Sequence, residues 1–107
     1  MNTDSVDLRR VKVPRTSDMP KLEPGDFAWD FDSAATGGDR SRPTHFIYVA
    51  LPGDAGGWSP IEVQLGDQGG QRLWGWDGNE DKPTLTPSIL SPGIWHGYLR
   101  AGRLVSC

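Results

Sequence analysis

At 107 residues the chain has room for one domain with one modest core. Its 14 acidic and 11 basic side chains leave a net charge of −3, which argues against a nucleic-acid binder built on a basic face. The single cysteine, Cys107, excludes a disulfide framework within the chain, and no apolar run approaches the ~20 residues of a membrane-spanning helix. One thiol and the absence of an apolar leader stretch at the start suit a reducing, cytoplasmic setting.

Residues 1–21 are polar, with Pro14 and Pro20 as breakers, and are expected to form an extended N-terminal arm carrying one short strand through "RRVKV". Its basic residues Arg9, Arg10, Lys12 and Arg15 read as a solvated face. Residues 22–107 are expected to form a single β domain. In "KLEPGDFAWDF", Pro24-Gly25 signals a turn, and Phe27, Trp29 and Phe31 at period two fall on one face of a strand. A polar loop, "DSAATGGDRSRP", leads to a strand through "THFIYVAL" at 44–51, rich in β-branched and aromatic residues. After the turn-rich "PGDAGGWSP", the alternation in "IEVQL" points Ile61, Val63 and Leu65 inward and Glu62 and Gln64 outward. "GDQGGQ" then turns into a strand through "RLWGW", and "YLRAGRLVS" reads as a hairpin closed by Ala101-Gly102. No window supports a helix of more than a turn or two. Glycines and prolines lie singly between short apolar runs, so the chain reads as all-β: a small single-domain sandwich or a partly open barrel with an N-terminal arm.

Two histidines could move protons or bind metal: His45, opening an apolar strand, and His96 in "IWHGY". A lone histidine beside aromatics is more often structural. A zinc site needs about four ligands, typically in Cys/His pairs at short spacing. The chain offers His45, His96 and Cys107, with Asp77 and Glu80 as carboxylates, in no such pattern, so neither metal nor cofactor is expected. A Ser/His hydrolase needs a hydroxyl within hydrogen-bond reach of an imidazole, roughly 2.6–3.2 Å and looser without substrate. Ser88 in "TPSIL" lies eight residues before His96, and strands joined through "LSPGI" could bring the two together, although Ser88 could equally satisfy a neighbouring backbone group. "WDGNEDKP" is a turn, with Asp77-Gly78-Asn79 supplying residues that tolerate positive φ. Trp74 and Trp76 share a face by spacing, and core packing is their default. An exposed aromatic face would instead make Trp74, Trp76, Asp77, Asn79 and Trp95 a binding platform.

The block from Trp76 to Gly102 carries W-D-G-N, P-T-L-x-P-S-I and W-H-G-Y in order. It resembles a family found in phages and bacteria, some of whose bacterial members, called BubE, are encoded beside ubiquitin-like conjugation genes and are regarded as peptidases. The resemblance runs from "LEPG" at 22–25 to Cys107. Family members often carry H-x-C-x-C-G-C in the first half. His45 resembles that histidine, but "IYVALP" stands where the cysteines would be, and Gly93 or a neighbour replaces a later cysteine. The resemblance therefore implies that a metal held by such cysteines is lost here. Phage copies are often labelled "ammonia monooxygenase", yet the chain has no set of histidines to hold copper. What the resemblance leaves for hydrolysis is Ser88, His96 and His45.

The leading expectation is a phage-type protein acting through protein–protein contact, as a virion component or an accessory factor on a host protein. Its partner would be a protein, in a homo-oligomer or a phage assembly, with no nucleic acid or membrane involved. The alternative is a Ser/His hydrolase resembling peptidases that process ubiquitin-like proteins, with Ser88 as nucleophile, His96 as base and His45 assisting. A metal-dependent hydrolase using His45 and His96 comes third.

Overall fold

A computed structural model describes residues 5–11, 23–32, 41–53, 57–66 and 73–106. Short apolar runs stopped by turn residues become strands: β1 (Ser5–Asp7), β2 (Arg9–Arg10), β3 (Asp26–Trp29), β4 (His45–Val49), β5 (Ser59–Leu65), β6 (Trp74–Trp76), β7 (Leu85–Thr86), β8 (Ile89–Ser91), β9 (Trp95–Arg100) and β10 (Arg103–Ser106). Asp30–Asp32 forms a single 3-10 turn, and among the described residues there is no other helix. The protein is all-β, built of two open sheets. One is four-stranded and antiparallel in the order β1-β10-β9-β8, and the other is six-stranded in the order β2-β3-β4-β5-β6-β7. In the larger sheet β2 runs parallel to β3 and β5 parallel to β6, while the other pairs are antiparallel.

Side chains from both sheets meet in one apolar cluster. Phe27, Trp29, Ile47, Val63 and Trp76 enter it from the larger sheet, and Ile89, Leu99 and Leu104 from the smaller. Fully burying an aliphatic or aromatic side chain of this kind contributes roughly 1.5–3 kcal/mol, so this cluster is the main favourable term in the fold. Trp29 sits at its centre, 4.5 Å from the Trp76 ring and stacked at 5.2 Å on Phe31, with its Nε1 donating to the Glu80 carbonyl at 2.8 Å. The hairpin expected at the chain's end is present: Arg100 pairs with Arg103 across Ala101 and Gly102, both at positive φ. That backbone twist matches the twist of the flanking strands.

Two expectations about side-chain placement need correction. Phe31 is buried, but from the 3-10 turn rather than the end of a strand, because the chain leaves the sheet at Asp30. Leu65 is 67% exposed rather than inward. Alternation decides which side of a sheet a residue takes but not whether another layer covers it there. At the end of β5, Leu65 borders an open groove shared with Gly66, Gly75 and Thr86.

The start of the chain is woven into both sheets. β1 pairs with β10 in the smaller sheet, the chain crosses at Leu8, and β2 joins the edge of the larger. Polar groups pin this crossing. Arg9 makes two bonds to the buried Asp26 carboxylate at 2.9 and 3.0 Å. Arg10 bridges Asp32 at 2.8 and 3.0 Å, Asp81 at 2.9 Å and Glu80 at 3.1 Å. The bonds to Asp32, aided by those to Asp81 and Glu80, push the Arg10 guanidinium further above its ordinary range against the opposing effect of partial burial.

Candidate active site

The chain returns from the larger sheet to the smaller one between β7 and β8, through Pro87 and Ser88. β8 and β9 form a hairpin over Pro92-Gly93, closed by the Ile94 N–H donating to the Ser91 carbonyl at 2.9 Å. In its register Ile89 faces Gly97 and Leu90 faces His96. Successive side chains point to opposite faces, so Ile89, Gly97 and Leu99 turn into the core. His96 and Leu90 turn to the open face, and Ser88, two residues before Leu90, lies diagonally across from His96. Ser88 Oγ stands 3.3 Å from His96 Nε2. The separation is slightly longer than a tight hydrogen bond and within what a serine–histidine pair shows before substrate arrives.

Their surroundings hold the pair without sealing it. Ser88 is half-buried and His96 is exposed. Trp74, on β6, donates its Nε1–H to the Ser88 carbonyl at 3.2 Å, tying the Ser88 backbone to the larger sheet. Trp95, just before His96, donates its Nε1–H to Ser106 Oγ at 2.9 Å. Beyond His96 on the same face, the Arg100 guanidinium lies 4.1 Å from the centre of the Tyr98 ring. With the imidazole proton on Nδ1, Ser88 Oγ–H donates to Nε2, the arrangement in which histidine can take the hydroxyl proton. Among the described residues no carboxylate bonds the His96 ring.

The structure brings Ser88 and His96 together and gives His45 different neighbours. His45 is 6% exposed on β4, with Nδ1 3.4 Å from Asp30 Oδ1, a spacing that suits an ion pair although the geometry makes no hydrogen bond. Phe31 and Trp76 meet its ring edge-on, and the other Asp30 oxygen accepts the Phe46 N–H at 2.9 Å. His45 thus has the surroundings of a core histidine.

The polar groups of the other candidate binding residues are engaged within the fold. Asp77 Oδ1 accepts the N–H of Asn79 at 3.1 Å and of Thr84 at 3.2 Å, and Asn79 Oδ1 accepts those of Asp81 and Lys82. Trp76 is nearly buried and donates its Nε1–H to the Asn79 carbonyl at 3.0 Å, while Trp74 and Trp95 are half-buried against the core. The carboxylates considered for a metal have the same kind of employment, Asp77 in its turn and Glu80 on Arg10. Among the described residues no group of three or more His, Cys, Asp or Glu side chains is placed to hold a metal ion.

Fold and site together define a small all-β protein with a solvent-facing serine–histidine pair on a sheet rim. The family model of BubE, the bacterial ubiquitination-like system serine protease, matches residues 48–107, and the chain belongs to that family. The matched segment contains both Ser88 and His96 and begins after His45. No match was found among curated proteins or among solved structures. Membership in a serine protease family overturns the leading expectation of a protein acting only through contact, as a virion component or accessory factor. Ser88 and His96 each have a bland explanation in the sequence, and although strands joined through "LSPGI" could bring the two together, their pairing depends on a strand register that spacing does not reveal. Among the described residues no helix is long and apolar enough to cross a membrane.

Proposed function

We propose that the protein is a serine peptidase acting on a polypeptide of a bacterial ubiquitination-like system, with Ser88 as nucleophile and His96 as general base. The observation that carries this reading is the 3.3 Å Ser88–His96 contact, open to solvent and inside the family-matched segment. Ser88 Oγ attacks the scissile carbonyl carbon while its proton passes to His96 Nε2. That proton then goes to the departing amine as the C–N bond breaks, leaving an acyl ester on Ser88. Water, giving a proton to the same nitrogen, attacks the ester carbonyl; the bond to Oγ then breaks, the carboxyl product leaves, and His96 Nε2 returns the proton to Ser88 Oγ. His96 rides on β9 and Ser88 immediately precedes β8 of the same sheet, while the Trp74 indole ties the Ser88 carbonyl to the larger sheet.

The test is covalent. Incubation with a fluorophosphonate probe should add one label to Ser88, found by intact mass and peptide mapping, and Ser88→Ala should abolish both labelling and peptide cleavage. Losing a serine nucleophile costs on the order of 10⁶ in kcat in a well-studied serine protease. A protein that neither takes the label nor cleaves any peptide would sink the assignment.

A further inference from the structure

Ser88 stands outside the strand ladders. β7 ends at Thr86 and β8 begins at Ile89, so Pro87 and Ser88 span the passage between the two sheets. Among the described residues no backbone bond outside the ladders reaches Ser88, and its main chain is held by the Trp74 indole, whose Nε1–H meets the Ser88 carbonyl at 3.2 Å. That carbonyl belongs to the peptide joining Ser88 to Ile89. A peptide unit is planar, and only two soft dihedrals per residue separate one plane from the next. Holding the carbonyl therefore restrains ψ of Ser88, and with it the direction in which the side chain leaves the backbone toward His96. The donor itself is well fixed. Trp74 pairs with Val63 inside the six-stranded sheet, its half-buried ring packs against the core cluster, and an indole N–H can only donate, along one direction in the ring plane.

We infer that Trp74 is a positioning residue for the Ser88–His96 pair, keeping the hydroxyl in reach of the base through its bond to the Ser88 carbonyl. This inference rests on the peptidase reading. The Oγ–Nε2 separation of 3.3 Å already stands just beyond the roughly 2.6–3.2 Å at which a positioned base takes a proton, so the pair has little slack. A misplacement of about 1 Å can cost on the order of 100-fold in rate. Without the indole bond the passage between the sheets is free to turn about ψ of Ser88, and Oγ, on a short side chain, turns with it. In this role Trp74 touches neither the substrate nor the reacting atoms. It acts only through where Ser88 stands, so its loss slows the chemical step and leaves substrate binding nearly unchanged.

The experiment replaces Trp74 with its benzothiophene analogue, in which sulfur stands in place of the N–H, so that ring shape and packing persist and only the donor goes. The rate of fluorophosphonate labelling, and kcat on the best-cleaved member of a fluorescence-quenched decapeptide library, should each fall about tenfold, with KM within about twofold of wild type. Trp74→Phe, which also lacks the donor, should show the same split. The same analogue at Trp29, whose Nε1–H bonds the Glu80 carbonyl at 2.8 Å, should lower Tm by a similar amount while leaving labelling within about twofold of wild type. An unchanged labelling rate in both Trp74 variants would overturn the inference and leave the peptidase reading intact. An equal loss of labelling at Trp29 would mark a general loosening of the fold, and a rise in KM with kcat unchanged would mark a contact with substrate; either also overturns it. A wild-type protein that neither takes the label nor cleaves any peptide would remove the peptidase reading, and the positioning role with it.

Discussion

Gly97, directly after the proposed base, is the position where the smallest change should have the largest structural effect. It sits on β9 with its missing side chain aimed into the fold, beneath the Trp95 ring. A Cβ built there would overlap both that ring and the Val105 carbonyl oxygen. The carbonyl belongs to β10, which is paired to β9 along Arg103–Ser106, so the ring is the freer of the two to move. Expelling a half-buried indole uncovers about 100 Å² of apolar surface, roughly 2.5 kcal/mol, and breaks its bond to Ser106 at about 1 kcal/mol. Gly97→Ala should therefore cost about 3–4 kcal/mol, a drop in Tm of about 12 °C or more for a domain of this size. Equilibrium urea unfolding followed by tryptophan emission reads the cost. Trp95→Ala in the same chain should recover part of it, making the pair strongly non-additive. A Gly97→Ala protein within about 1 kcal/mol of wild type would show that the strand shifts freely, and the account of the W-H-G-Y stretch would be wrong.

Arg10→Met should destabilise by about 2–3 kcal/mol, mostly through the partly buried Asp32 pair, because three carboxylates would be left facing an uncharged side chain. The loss should shrink in high salt, and urea titrations at two ionic strengths test it; an equal loss at both would refute the charge argument. His45→Phe should leave the rate of fluorophosphonate labelling within about twofold of wild type while altering thermal stability, since a residue away from the chemistry affects activity little. A large fall in labelling with stability unchanged would restore His45 to the catalytic group. Ser88→Ala, His96→Ala and the double variant should lose nearly the same kcat, as residues acting through one proton transfer do, and multiplicative losses would mean that the pair does not work as a unit.

Much of this protein was legible from its residues because the cues are local. Period-two alternation with Gly and Pro stops marked the strands through Phe27, Ile47, Ile61 and Trp76, and Ala101-Gly102 marked the last hairpin, since turn geometry depends on a few adjacent residues. The ordered W-D-G-N, P-T-L-x-P-S-I and W-H-G-Y stretches were enough to suggest the family. Other features depended on distant parts of the chain. The exposure of Leu65 depends on which layer lies over the end of β5, and the employment of Arg10 on a loop 70 residues away. Ser88 and His96 become a pair only through the β8–β9 register, in which a one-residue slip would send one of the two side chains to the opposite face. His45 shows the reverse: beside a resemblance it looked catalytic, and Asp30, Phe31 and Trp76 give it the setting of a packed core residue. Residue type and order carried the fold class and the suspicion of chemistry. Proximity across the sheets decided which side chains can act together, because contact between residues far apart in sequence is a property of the folded chain alone.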